Sequence, residues 1–129
     1  SGPPDTAFGG ADPDHPDGVE SLESATGALE RASDEVQALR ALATVVNLRR
    51  RRGDYAEGLV GAAQGLVRAK RIGDLRLQAD FHYLLGRLYW NLANYPDSLE
   101  NHLEALRLAE GLGDASLLAR AHGGLGLTY

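Results

Sequence analysis

A 40-residue repeat runs through the second half of this chain without a gap. Gly73-Asp74 recurs as Gly113-Asp114, Tyr55 as Tyr95, Leu59 as Leu99 and Ala69 as Ala109. Leu48 likewise recurs as Leu88, His82 as His122, Leu85-Gly86 as Leu125-Gly126 and Tyr89 as Tyr129. A fixed period of this size marks supersecondary units that hide their apolar faces against neighbouring units, rather than around one shared centre.

Within the period, apolar residues return at helical spacing, and no segment alternates as a strand does. The expected fold is all-α, with six antiparallel helices joined by short turns. The first spans about residues 17–32, with Val19, Leu22, Ala25, Ala28, Leu29 and Ala32 along one face. The second runs about 34–52 with Val36, Leu39, Leu42, Ala43, Val46 and Leu48 inward, and the third about 55–72. The fourth covers about 75–93, the fifth runs to about 111, and the sixth follows Gly113-Asp114. Each Gly-Asp pair reads as a stop and a start: glycine accepts the left-handed backbone after a helix end, and aspartate accepts from the first free amides of the next helix. Asn94 takes the capping place before the fifth helix, and Pro96 sits in its first turn, where a missing N–H costs nothing. Ser33-Asp34 falls where Gly73-Asp74 would lie one period earlier. The first helix is therefore expected to be the second half of a repeat, giving a half repeat 19–33, repeats 34–73 and 74–113, and a half repeat 114–129.

Residues 1–18 hold four of the five prolines together with several glycines and aspartates, a composition that buries too little apolar surface to fold, so this stretch is expected to be a flexible acidic arm. The net charge of −5 is unevenly spread: residues 1–38 carry nine acids against Arg31 alone, while residues 39–72 carry eight bases against Asp54 and Glu57. Such asymmetry suggests an acidic partner, or the arm folding back onto the basic segment. The 129 residues include no cysteine, which excludes disulfides, thiolate catalysis and cysteine-ligated zinc and is compatible with a cytoplasmic home. They include no methionine either, so Ser1-Gly2 reads as the remnant of a removed tag and the chain as a piece of something longer, continuing past residue 129. No apolar run approaches a membrane span, and no membrane partner is expected.

At this point the residues resemble a family. His82-x-x-Leu85-Gly86-x-x-Tyr89 and His122-x-x-Leu125-Gly126-x-x-Tyr129 are similar to the first-helix pattern of tetratricopeptide (TPR) repeats, with histidine in the usual aromatic place. Ser98 and Ala105 match the two small positions of the second helix. The stretch 93–114 looks like the long, 40-residue TPR variety of GoLoco-type scaffolds, peptide-pheromone receptors and sensory modules of bacterial regulators. The resemblance spans about residues 34–129 and is closest over 75–129; in the earlier repeat Val46 replaces the family glycine, Arg49 the tyrosine, and Gly58 and Gly65 take the small positions. It implies an α-solenoid whose concave side is lined by first helices. It also implies that Gly86 marks a close helix approach, and that His82 and His122 share like surroundings.

The groove positions the resemblance implies are Arg40, Ala43, Asn47, Arg50 and Arg51, then Asp80, Tyr83, Arg87, Trp90 and Asn91, then Arg120, Gly123 and Leu127. Arginines give forked bonds to carboxylates, and aromatic rings give rigid contact area. The expected function is a protein- or peptide-binding scaffold module of a larger cytoplasmic signalling or regulatory protein, its ligand an acidic extended peptide. The family's carboxylate clamp needs a lysine where this chain has Ala43, so chaperone C-terminal tails are not implied. Arg49–Arg52 equally suit a helix C-terminus, where cations complement the dipole. Two other readings stand beside this one: a regulatory domain of a fused enzyme, and a self-association module, with Leu118, Leu125 and Tyr129 expected to leave an uncovered apolar stripe on the last helix.

No catalytic residue, metal or cofactor is expected. His82 and His102 alone do not make a zinc site, which takes at least three protein ligands. Gly123-Gly124-Leu125-Gly126 follows no strand and lacks a phosphate-loop pattern. The arginine run invites a nucleic-acid reading, but the acidic balance argues against it, because such affinity is mostly electrostatic.

Overall fold

The computed structural model describes residues 16–128, and side chains within residues 22–126. Five α-helices occur among the described residues: α1 (Pro16–Arg51), α2 (Tyr55–Ile72), α3 (Leu75–Asn91), α4 (Tyr95–Leu112) and α5 (Ala115–Thr128). None is long and apolar enough to cross a membrane. The chain forms two compact units, one ending at Gln37 and one running from Ala38 to Tyr129, so that α1 contributes to both.

Every turn in the second unit is built alike. Gly53, Gly73, Ala93 and Gly113 have positive φ (86°, 72°, 60° and 63°), and they lie 20 residues apart. At each, the next amide reaches back five residues to a helix carbonyl: Asp54 to Arg49, Asp74 to Ala69, Asn94 to Tyr89 and Asp114 to Ala109, at 2.8–3.4 Å. That six-to-one bond with a left-handed residue is the Schellman closure. The following residue then caps the next helix. Asp74 Oδ1 accepts from the Leu77 amide (2.9 Å), Asn94 Oδ1 from Asp97 (3.4 Å) and Asp114 Oδ1 from Leu117 (3.1 Å). Asp54 makes no such side-chain bond, contrary to expectation.

The six-helix count is corrected at one point. Residue 33 is next in the 20-residue series, yet the chain stays helical through Ser33-Asp34, and the expected helices 17–32 and 34–52 are one. A left-handed turn there would cost about 1–2 kcal/mol for a residue with a Cβ. Ala93 meets that cost because α3 and α4 pack closely on either side of it. Leu22 and Leu29, by contrast, are 57% and 72% exposed and gain no buried face that would offset a turn.

Within the second unit, α2 packs on α3, α3 on α4 and α4 on α5, and α3 also touches α5. The seams are made by pairing large side chains with absent ones. Phe81, fully buried on α3, lies over Gly65 of α2, where a Cβ would come within 2.3 Å of its ring. Leu88 of α3 lies over Gly58 in the same way, and Val46 of α1 meets Gly61. The side chain of Val46 is thus complemented by the absent one of Gly61 on the facing helix.

The close approach expected at Gly86 is present. Ser98 Oγ of α4 donates to the Gly86 carbonyl at 2.7 Å, and both residues are buried. His102, also on α4, sits beside it with no exposed surface. Its ring occupies the space left by Gly86 and by Gly124 of α5, where a Cβ would fall 2.6 Å and 2.4 Å from it. The 40-residue period pairs Gly86 with Gly126, but Gly126 faces open space, and Gly124 two residues earlier receives the histidine.

The last helix also departs from expectation. Leu125 is buried, Leu118 is partly buried against Ala79, Leu108, Ala109 and Leu117, and Tyr129 lies outside the described residues. Of the stripe expected on the last helix, Leu118 is thus partly covered by Ala79 of α3 and by Leu108 and Ala109 of α4.

Candidate functional site

A cleft of about 560 Å³ opens on the second unit, lined from α1, α3 and α5. From α1 come Arg40, Ala43, Thr44, Asn47, Arg50 and Arg51; these share a face because they recur three, four and seven apart. α3 contributes Asp80, Tyr83, Leu84 and Arg87, and α5 contributes Arg120.

Two arginines are steered by neutral oxygens. Asn47 Oδ1 accepts from Arg50 Nε (3.3 Å) and Nη2 (3.1 Å). Tyr83 Oη accepts from Arg87 Nη1 at 2.8 Å, one helical turn away. Neither Arg50 nor Arg87 has a carboxylate partner among the described residues. Burial, and then the nearby charge of Arg87, lower the pKa of the Arg50 guanidinium from its ordinary value.

A third arginine is committed. Arg120 Nη1 donates to Asp80 Oδ1 at 3.0 Å, and its guanidinium lies 4.7 Å from the centre of the Tyr83 ring. Asp80 and Arg120 are 40 residues apart and so hold the same place in successive periods. Burial raises the Asp80 carboxyl above the usual range, and Arg120 only partly offsets this. The cleft therefore keeps an excess of positive charge, with its one carboxylate already paired.

Tyr83 links the cleft to the core. Its ring meets His102 edge-on at 5.8 Å and an angle of 61°. Burial, with Arg87 adding to it, depresses the His102 imidazole to about 4. Neither ring nitrogen of His102 has a hydrogen-bond partner.

Not every expected site residue joins the cleft. Arg40, Asn47, Arg50, Arg51, Asp80, Tyr83, Arg87 and Arg120 do, together with Ala43. Trp90 and Asn91 do not line it, for they lie a turn further along α3. Trp90 instead packs edge-to-face on Tyr95, 6.5 Å away, and the Asn91 amide oxygen is buried without a hydrogen-bond partner. Gly123 is exposed, and the Leu127 side chain lies outside the described residues. Thr44 and Leu84 are further lining residues that the repeat pattern did not single out; their places one residue beside Ala43 and Tyr83 were the available signal.

The histidines stand apart from each other. His82 Nδ1 donates to Asn101 Oδ1 at 2.9 Å; the Asn101 amide group donates to the Asp97 carbonyl, which fixes its oxygen as the acceptor. His122 is exposed, so the like surroundings expected of His82 and His122 are not found. No group of three or more metal-binding side chains occurs among the described residues. The expected occupation of the groove by the acidic arm falls on residues outside the described ones.

No family model, curated protein or solved structure matches this chain.

Proposed function

We propose that residues 38–129 act as a TPR-type α-solenoid module that binds an extended acidic protein segment in the arginine-lined cleft. The observation that carries this reading is the pair Arg50 and Arg87, brought to one cleft from two helices and left without a carboxylate. The contact between α3 and α5, helices one period apart, supports repeat-type stacking. The module belongs to a larger cytoplasmic signalling or regulatory protein, as the resemblance implies, and performs no chemistry of its own.

A charge-assisted hydrogen bond is worth roughly 1.5–3 kcal/mol. Reversing both arginines should therefore cost an acidic peptide at least about 100-fold in affinity, since each ~1.4 kcal/mol is tenfold. The test is fluorescence anisotropy with a labelled Glu/Asp-rich peptide, comparing the parent chain with the Arg50→Glu, Arg87→Glu double variant. Unchanged affinity would remove the cleft as the binding face.

A further inference from the structure

An acidic segment offers several kinds of anion, and the donors at the centre of the cleft discriminate among them. Asn47 occupies Nε and Nη2 of Arg50 with a single oxygen, which leaves Nη1 and one Nη2 proton free to turn outward. Arg87 spends only Nη1, on Tyr83, so its Nε/Nη2 edge stays open as a fork for two oxygens. The Tyr83 hydroxyl accepts from Arg87 and therefore keeps its own proton to donate elsewhere. Three donor groups from α1 and α3 line one cleft, and two of them are cations.

A side-chain carboxylate brings two oxygens and one negative charge. A phosphodiester brings two free oxygens and one charge as well. A phosphate monoester brings three free oxygens and a charge of roughly −1.5 to −2 at neutral pH. Donor count and charge count both match the monoester. Arg120 adds no net charge to the match, because it is paired with Asp80.

We propose that Arg50, Arg87 and Tyr83 form a seat for the phosphate of a phosphorylated side chain within the bound peptide. This rests on the cleft being the binding face. A peptide is the favoured source of the phosphate because the exposed Arg40 and Arg51 extend the positive lining along α1 past the central donors, which suits acidic flanking residues better than a lone ion.

The experiment uses the full chain and three labelled peptides of one acidic sequence, with phosphoserine, glutamate or serine at the centre. Inorganic phosphate and a single-stranded oligonucleotide serve as separate competitors. The phosphoserine peptide should bind at least tenfold tighter than the glutamate peptide. Tyr83→Phe, which keeps the ring against His102 but deprives Arg87 of its acceptor, should shrink that preference several-fold by weakening the phosphoserine peptide more than the glutamate peptide; circular dichroism checks the fold, and Arg50→Gln provides an independent second variant in which the preference should shrink likewise. Equal binding of the phosphoserine and glutamate peptides overturns the phosphate seat while the acidic-segment reading survives. No binding of any of the three overturns both. Inorganic phosphate displacing the phosphopeptide at concentrations near the peptide's own Kd, or the oligonucleotide doing so, overturns the peptide as the source.

Discussion

His102 fills the room that Gly86 leaves empty: a methyl group at residue 86 would stand 2.6 Å from its Cε1 atom, and one at residue 124 would stand 2.4 Å from it. One imidazole thus sets the distances among α3, α4 and α5. Glycine is ordinarily a poor helix residue, worse than alanine by about 1 kcal/mol, so alanine should be the better choice wherever space allows. At Gly86 and Gly124 space does not allow it, and overpacking should cost about 1–3 kcal/mol net. At Gly123, next along α5 and facing open space, alanine should instead stabilise by up to about 1 kcal/mol. Urea midpoints for Gly123→Ala and Gly124→Ala should therefore move in opposite directions; shifts of the same sign would contradict the packing described.

The same histidine makes stability depend on pH. Its folded value, about 4, lies below the ordinary 6.5, so folding favours the neutral ring. The stability it contributes is fully present above pH 6.5 and is lost as pH falls from 6.5 toward 4. His102→Leu should remove this component, so the melting temperature of the parent should fall relative to that of the variant as pH drops through that window. A gap that stays constant from pH 7 to pH 4.5 would show that His102 is not held neutral by burial.

Ala93 carries a backbone conformation that its neighbours in the series assign to glycine. With φ at 60°, Ala93→Gly should relieve about 1–2 kcal/mol of left-handed strain, less the extra chain entropy of glycine, for a net gain near 0.5–1 kcal/mol. Gly73→Ala and Gly113→Ala should lose about 1–2 kcal/mol. Thermal melts of the three variants check both signs.

Asp80 opposes the charge of the cleft it lines. Its carboxyl is raised mainly by burial, so folding favours its neutral form; the stability tied to this group is fully present below pH 3.8 and is lost as pH rises through the folded value. Asp80→Asn should therefore leave the melting temperature at pH 7 unchanged or slightly higher. It also frees Arg120, and affinity for an acidic peptide should rise several-fold at low salt and by less at high salt, where screening is stronger. Weaker binding by this variant would mean that Arg120 has to be held by Asp80 to serve the cleft.

Much of this architecture is legible in the period itself. Gly53, Gly73 and Gly113 announce the turns, and Asn94-Tyr95-Pro96 announces the turn that lacks its glycine. The same arithmetic misplaces a turn at Ser33, because a position in a series says nothing about whether the flanking faces have a surface to pack against. It also aligns Gly126 with Gly86, although the histidine seat is built by Gly124: two residues of helix turn the vacant side elsewhere. Phe81 over Gly65 is not legible there, since an apolar residue beside a repeat position carries no period of its own. In the cleft, the groove positions implied by the resemblance bring out the arginines and Tyr83. The pairing of Asp80 with Arg120 depends on α5 meeting α3, a long-range relation that local pattern does not encode. Trp90 and Asn91 keep the spacing of the site residues and are still left out, because the cleft ends before α3 does.

The 20-residue cadence of left-handed turns constrains how such a chain tolerates length changes. Inserting one residue inside α2 would swing everything downstream by about 100° about the helix axis. Phe81 would lose its seat on Gly65, and Arg87 would be carried out of reach of Arg50 in the same stroke. Growth by whole hairpins would disturb neither relation, so a family of chains built this way is expected to vary in modular steps rather than by single residues.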